Sequence, residues 1–418
     1  MPTGGVVLVT PLAPAPTGNG LAMRAGMFLE ALAAQRAVDV VIVPVVGPGE
    51  PHDWASRLAR RVVVVPPVGA ASAGEHVRAQ LADAVLRARL ERTSPLPQRA
   101  RLAPPTLVTD AVAALGEASA SPVAVVSMRE YLAPFGIWLA RHLHATRTVI
   151  DLDDDAEALL HELGHDIEAA AYGRLARAWL PDAHLVTLSS PREARQVAAR
   201  YELETVETVP NTVHAPPAKP ASPASASIGS IPGADAPDDV LFVGNLTYEP
   251  NIDAARTLVD EILPVLRQLR PTATVTLVGS HDRRLAGVAT RPGVTLAGEV
   301  GDVGGWYERV GAVVVPLRFG SGTRIKVIEA FAHRRPVVAT PLAVAGLAVT
   351  NGVDVLIAEE PHDIALRIME LLGSPELAHD LTTAAFTTYE DHYAPDAVMP
   401  IVRQAVLGEP DAVPQGAA

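Results

Sequence analysis

Three short stretches carry residues whose types and spacing suit chemistry. The first is "FGSGTRIKVIEAFAHRRPVVAT", Phe319 to Thr340. Its small residues Gly320, Ser321, Gly322 and Thr323 lead into helical periodicity, so free backbone N–H groups and the positive end of a helix dipole converge there, a place that suits a phosphate. Arg324 and Lys326 in the first turn oppose that dipole unless an anion lies between them. Apart from Lys219, Lys326 is the only lysine in a chain that otherwise uses arginine. Gly322, Lys326 and Glu329 recur at i, i+4, i+7 on one helix face, and Ile325, Ile328 and Ala332 at i, i+3, i+7 give the face expected toward a sheet. Spacing alone leaves a second reading open, two solvated basic residues on an exposed turn.

The second stretch is His161-Glu162-Leu163-Gly164-His165, which fits H-E-x-x-H. In that pattern two histidines one helical turn apart hold zinc and the glutamate activates water. The following "DIEAAAYGRLA" lacks the glycine and histidine of the extended metalloprotease form. With 13 histidines in the chain, a chance match is the simpler account, and no metal site is expected. The third stretch is the acidic run Asp151-Leu152-Asp153-Asp154-Asp155. Carboxylates at the end of a strand can hold a divalent ion, contact acceptor hydroxyls or cap the next helix. Capping is the first expectation, with acceptor contact by Asp153 and Asp154 beside it.

The elements that position these residues are legible in the hydrophobic pattern. Continuous apolar runs, rather than alternating ones, occur at Val6–Thr10, Val38–Val46, Val62–Val65, Val123–Ser127, Thr148–Asp151 and His184–Leu188. Segments of helical period such as "AMRAGMFLEALAAQ" and "REARQVAARYE" separate most of them. After Ala215 the composition turns to "APPAKPASPASASIGSIPGADAPD", which reads as a mobile linker to Asp238. Strands resume near Val240–Val243, Thr274–Val278, Val294–Ala297, Gly311–Val315, Pro336–Ala339 and Val355–Ile357. The expectation is α/β, two Rossmann-like doubly wound parallel-sheet domains facing a cleft. Residues 1–214 form the first and 239–385 the second, joined by the linker 215–238, with a C-terminal helix and tail over 386–418 crossing back to the first. Pro66–Ser121 breaks the rhythm as helix or loop.

Composition narrows the function. A length of 418 residues exceeds what one core usually organises. At 49% hydrophobic the chain has apolar material for two. No apolar run approaches the ~18 residues that span a bilayer, and "MPTGGVVLVTPLAPAP" lacks a basic leader, so a soluble, cytoplasmic protein is expected. The absence of cysteine excludes disulfides, thiolate metal sites and cysteine nucleophiles together. A net charge of -13 argues against nucleic acid and allows at most peripheral membrane contact.

The order of motifs resembles GT-B glycosyltransferases, specifically the retaining family-4 type. "GSGTRIKVIEAFAHRRPVVAT" looks like their C-terminal signature. "PTGNGLAMRAGMFLEALAA" is similar to the glycine loop after the first strand, "VETVPNTV" to the P-N-x-V that closes the first domain, and "FVGNLTYEPNIDAARTLV" to the opening of the second. "VTLVGS", "VTLAGEVGDVGGWYERV" and "NGVDVLIAEEPHDIALRIMELLGSPEL" follow at the usual intervals. The resemblance implies transfer of a sugar from a nucleotide diphosphate-sugar donor to an acceptor hydroxyl, small molecule or glycan, with retention of configuration and no metal or other cofactor. By the same resemblance Glu329 binds the donor ribose, and Arg324 and Lys326 neutralise the leaving diphosphate. The backbone of Ser321, Gly322 and Thr323 contacts phosphate or sugar, Gly244 and Asn245 border the donor, and Gly20 closes over it from the other domain.

The chain departs from the family pattern in places. Many members carry a glutamate where Ser321 stands, and an arginine and lysine where Asn245 and "LTYEPN" follow Gly244. Arg334 occupies the usual helix-ending glycine position, and Ala343 and Ala345 replace a common glycine and glutamate. The alternatives that remain are a nucleotide-sugar epimerase of similar fold and a non-catalytic partner derived from it.

Overall fold

The computed structural model describes residues 4–47, 49–68, 96–119, 121–216, 238–320 and 324–408. Each of the continuous apolar runs forms a strand. The first sheet contains β1 Val6–Thr10, β2 Val38–Ile42, β3 Arg61–Val64, β4 Ala124–Met128, β5 Arg147–Asp153, β6 Leu185–Leu188 and β7 Val206–Thr208. They are parallel in the order β3-β2-β1-β4-β5-β6-β7. The second contains β8 Asp239–Val243, β9 Thr274–Val278, β10 Val294–Gly298, β11 Ala312–Val315, β12 Val337–Ala339 and β13 Leu356–Ile357. These too are parallel, in the order β10-β9-β8-β11-β12-β13. Two Rossmann-like domains are therefore present.

The unbroken apolar runs have a direct physical cause. Val6 and Leu8 of β1 face one core with Phe28 and Leu32, while Val7 and Val9 face a second with Phe135, Leu139 and Trp179. Side chains alternate along a strand, so covering both faces with helices requires every position to be apolar. β7 was not anticipated. Its three residues Val206-Glu207-Thr208 lie at the sheet's edge with Glu207 exposed, and no apolar run announces them.

Contacts divide the described residues into two compact units, the first running to Asn211 and resuming at Val398, the second covering Thr212–Gly320 and Arg324–Ala397. The division falls between Asn211 and Thr212 rather than after residue 214. Asn211 Oδ1 accepts from the Arg24 guanidinium (2.8 Å) in the first unit, whereas Thr212 Oγ1 donates to the Tyr393 carbonyl (2.5 Å) in the second. At the other end, the helix Pro375–His392 stays in the second unit, burying Ala378, Leu381, Ala385 and Tyr389. The change comes at Val398, which joins Val402, Ala405 and Val406 in the core beside Val6 and Leu8. It therefore comes later than residue 386.

Of the segment 215–238, residues 217–237 lie outside the described ones. Asp238 is tied down, pairing with Arg270 at 2.5 Å and accepting from Thr272. In Pro66–Ser121 the described residues include the helices Gln98–Leu102 and Val108–Leu115, and residues 69–95 lie outside. No helix among the described residues is long and apolar enough to cross a membrane.

Strand order fixes where a ligand belongs. It reverses between β1 and β4 in the first sheet and between β8 and β11 in the second. Connections diverge at such a reversal and leave a crevice beyond the carboxyl ends of the two strands.

Candidate functional site

In the second unit that crevice lies where β8 runs into Gly244 and Asn245 and where the connection from β11 reaches Arg324. The strand ends are unusually close. Gly279, at the end of β9, has φ +141°, and a Cβ there would stand 1.8 Å from the Gly244 carbonyl oxygen. Only glycine allows that approach. A Cβ on Gly244 would in turn meet Asn251 Nδ2 at 3.0 Å and Lys326 Cε at 3.4 Å. Asn251 links the two sides of the crevice, because its Nδ2 donates to the Asn245 carbonyl (2.9 Å) and its Oδ1 accepts from Lys326 Nζ (3.1 Å). The Asn245 side chain is used locally, accepting from Thr247 N and Oγ1 at 3.0 and 2.7 Å.

Lys326 lies near the start of the helix Ile325–Ala332, its ammonium 5.6 Å from the centroid of the Phe242 ring. Withdrawal from water, reinforced by the neighbouring Arg324, lowers its pKa to about 7, with Glu329 pulling the other way. Glu329, one turn further along, is pushed upward by desolvation, against a hydrogen bond from the Tyr307 hydroxyl to its Oε2 at 2.8 Å. Arg324 is the N-cap residue, 7% exposed, and its guanidinium donates to the Gly320 carbonyl at 2.6 Å.

The structure thus gathers Gly244, Asn245, Arg324, Lys326 and Glu329 in one unit. Ser321, Gly322 and Thr323 lie outside the described residues. Gly20 belongs to the first unit, where it opens the helix Gly20–Ala33 behind an Asn19 cap whose Oδ1 accepts from Leu21 N (2.9 Å). The helix face differs from the expected one. Val327, Ile328, Ala330, Phe331 and Ala332 are buried and Ile325 only partly so. This helix packs on β11, β12 and the helix Pro375–His392 together, which buries more than a single stripe. Arg334, just past the end of this helix, takes the left-handed conformation that favours glycine, φ +54°. Its guanidinium carbon stands 3.3 Å from the centroid of the Phe386 ring, a contact that offsets the ~1–2 kcal/mol such a backbone costs an L residue.

In the first unit, charge concentrates at the end of β5. Asp151 is wholly buried and accepts from Arg24 at 2.7 and 2.6 Å and from Thr187 Oγ1 at 2.7 Å. Arg24 also donates to the Val209 carbonyl (3.1 Å), so one arginine ties the helix after β1 to β5 and to the exit of β7. A bulge between Asp151 and Asp153 re-aims the strand end, leaving Asp153 at φ +66°. Arg129 binds Asp154 at 2.7 Å and stands 3.7 Å from Asp153. Both carboxylates are 18% exposed at the side chain, and burial, countered by Arg24, holds the Asp153 pKa near about 6. Capping falls to Asp155, which accepts from Ala158 N at 3.0 Å. Sequence reading missed Arg24, Arg129 and Glu130. For Arg24 a signal was present, an arginine within the otherwise apolar "GLAMRAGMFLEALA".

Glu130 is 5% exposed beside a small cavity whose wall includes Asp154, Tyr172 and Tyr201. Arg129 Nε approaches it only to 3.9 Å, and desolvation raises its pKa to about 7. Because the folded pKa lies above the ordinary value, ionising Glu130 costs the fold stability progressively as pH rises from about 4.5 through about 7.

The H-E-x-x-H residues do not share a helix. The helix Ala156–Glu162 ends before Gly164 (φ +74°), and His165 is the N-cap of the next, Asp166–Trp179. His161 Nδ1 instead meets Asp166 at 2.7 Å on the surface. The spacing that would have stacked the two imidazoles is broken by that turn.

Two outcomes follow from these geometries. Glu130→Gln is expected to raise the melting temperature of the first unit by roughly 6–12 °C at pH 8 and to leave it nearly unchanged at pH 4, where the carboxyl is neutral in the folded and unfolded chain alike. Equal melting shifts at both pH values would contradict the assignment of a buried, titrating carboxyl. His161→Ala with His165→Ala is expected to leave ligand binding and turnover within a few-fold, and elemental analysis of the purified parent is expected to find less than a tenth of a zinc per chain.

Comparison with known proteins agrees with the fold and with the second unit. Residues 237–374 match the family described as Glycosyl transferases group 1. No curated protein matches the sequence. Among solved structures, HepE from Anabaena, in complex with UDP and glucose, superposes with a TM-score of 0.65 at 14% identity, over 96% of this chain and 98% of that one. A sucrose-phosphate synthase from Thermosynechococcus elongatus gives 0.66 at 18% identity over the same shares, 96% and 98%. A glycosyltransferase from Rickettsia africae gives 0.64 at 12% identity, again covering 96% and 98%. The chain has the GT-B fold, and the segment that matches Glycosyl transferases group 1 is the one that holds Gly244, Asn245, Lys326 and Glu329.

Proposed function

We propose that this protein is a glycosyltransferase that moves a sugar from a nucleoside diphosphate to an acceptor hydroxyl, with retention of anomeric configuration. The observation that carries the reading is the placement of Lys326 and Glu329 at the strand-order reversal between β8 and β11, inside the segment matching Glycosyl transferases group 1. In the reaction the glycosidic C–O bond breaks with both electrons leaving on the diphosphate, and the acceptor oxygen forms the new bond as its proton departs. Stabilising the charge on the departing diphosphate is the main task. Lys326 supplies a cation whose poor hydration makes an anion a favourable partner, and Arg324 adds a second charge on the same turn. Glu329 accepts from the ribose hydroxyls. The reading needs no metal. Asp153 and Asp154, beyond the end of β5 and partly exposed, are assigned to acceptor hydroxyls.

Incubation with uridine, guanosine and thymidine diphosphate sugars tests the reaction. Release of free nucleoside diphosphate supports transfer. An isomeric nucleotide sugar indicates an epimerase, and no binding at all indicates a non-catalytic member of the fold. The anomeric configuration of the product, read by NMR, tests retention.

Two variants separate the roles within the helix. Lys326→Ala is expected to lower kcat by more than it raises the donor KM, because the charge it meets grows as the bond breaks. Glu329→Gln is expected to weaken binding of the bare diphosphate by about 1.5–3 kcal/mol, the usual worth of a hydrogen bond to a charged group. Unchanged diphosphate binding in both variants would contradict the phosphate and ribose assignments.

A further inference from the structure

Glu329 does not stand alone. Its Oε2 accepts from the Tyr307 hydroxyl at 2.8 Å, and Tyr307, at the end of the short helix Gly304–Tyr307 before β11, is wholly buried. The phenol ring is fixed by stacking on His333, with centroids 4.5 Å apart and planes 8° from parallel. His333 directly follows the helix that carries Glu329, and the turn before Tyr307 is pinned by Asp302, which accepts from Gly304 N at 2.9 Å. A phenylalanine would fill the same volume without burying a hydroxyl. The oxygen is used on one carboxylate. Burial beside Glu329 pushes the phenol's ionisation well upward, so it remains a donor across the accessible pH range. A glutamate has three rotatable side-chain bonds, and committing one oxygen to a rigid donor leaves the other lone pairs in a fixed direction.

We propose that Tyr307 is a positioning residue that holds Glu329 oriented to accept from ribose hydroxyls, so that the Tyr307–Glu329 pair makes the site selective for ribonucleoside diphosphates over their deoxy counterparts. The inference rests on the assignment of Glu329 to the ribose. Tyr307 touches no substrate; it acts through the carboxylate.

The experiment is calorimetric titration of the parent and Tyr307→Phe with UDP and GDP and with the 2′,3′-dideoxy forms of both. The parent is expected to bind one of the ribonucleotides at least tenfold more tightly than its dideoxy form. Tyr307→Phe is expected to lose three- to tenfold for the ribonucleotide while its affinity for the dideoxy form stays within twofold, so the ratio shrinks. A structural role alone would weaken both ligands together. In a Glu329→Gln background, adding Tyr307→Phe is expected to change the ratio by less than twofold. His333→Ala, which removes the stacking wall and keeps the hydroxyl, is the second variant and is expected to shrink the ratio in the same direction. A parent-like ratio in Tyr307→Phe and His333→Ala overturns the role of Tyr307 while leaving the ribose assignment intact. A parent that binds neither ribonucleotide, or binds ribo and dideoxy forms equally, overturns the assignment of Glu329 and this inference with it.

Discussion

Lys326 holds an ammonium where water solvates it poorly, and much of the second unit follows from that constraint. Its stem packs beside Gly244, its charge faces the ring of Phe242, and among the described residues it donates to the Asn251 side-chain oxygen. Desolvation, with Arg324 beside it, lowers its pKa to about 7, so the folded chain gives up the proton more readily than a solvated lysine does. A partly buried cation of this kind is costly unless a counter-charge arrives, and the carboxylate a turn away, Glu329, is itself held by Tyr307. In the proposed reading the counter-charge is the donor diphosphate. The absence of a side chain at Gly244 then serves a purpose beyond packing, because a Cβ there would crowd Asn251 and Lys326, the two groups that join the exit of β8 to the helix after β11.

The first unit solves its own charge problem in the opposite way. Arg24 and Asp151 are both buried, but they neutralise each other, and the remaining donors of Arg24 are used on Val209 and Asn211. Removing one partner of such a pair leaves the other stranded, at a cost of roughly 3–5 kcal/mol. That pair is a staple at the strand-order reversal rather than a reacting group. The carboxylates that keep some exposure are Asp153 and Asp154, two and three residues beyond Asp151, where a bulge turns the chain outward.

Most of the fold was legible because both sheets are parallel and covered on both faces, so every strand with helices above and below it had to be a continuous apolar run. β7 escaped because an edge strand of three residues needs no such run. Lys326 and Glu329 were visible as a basic and an acidic residue on a glycine-led helix, and the rarity of lysine in the chain marked one of them. The partners that give them their properties were not visible. Tyr307 and Asn251 lie many residues away: Tyr307 meets Glu329 from the other side of β11, and the adjacency of β8 to β11 brings Asn251 to Lys326. The H-E-x-x-H pattern, read from the sequence as a chance match, lacks the geometry it would need, since that spacing stacks histidines only on an unbroken helix and the helix here ends before Gly164.

In the proposed reaction Lys326 meets the diphosphate as a cation it does not fully hold beforehand. Calorimetry of UDP or GDP binding at pH 8, repeated in buffers of differing ionisation enthalpy, measures the protons taken up with the ligand. With an unliganded pKa near 7, Lys326 is mostly neutral at pH 8 and must gain a proton when an anion binds beside it. Uptake of most of a proton per site is expected for the parent and none for Lys326→Ala. Tight diphosphate binding with no proton uptake by the parent would contradict it.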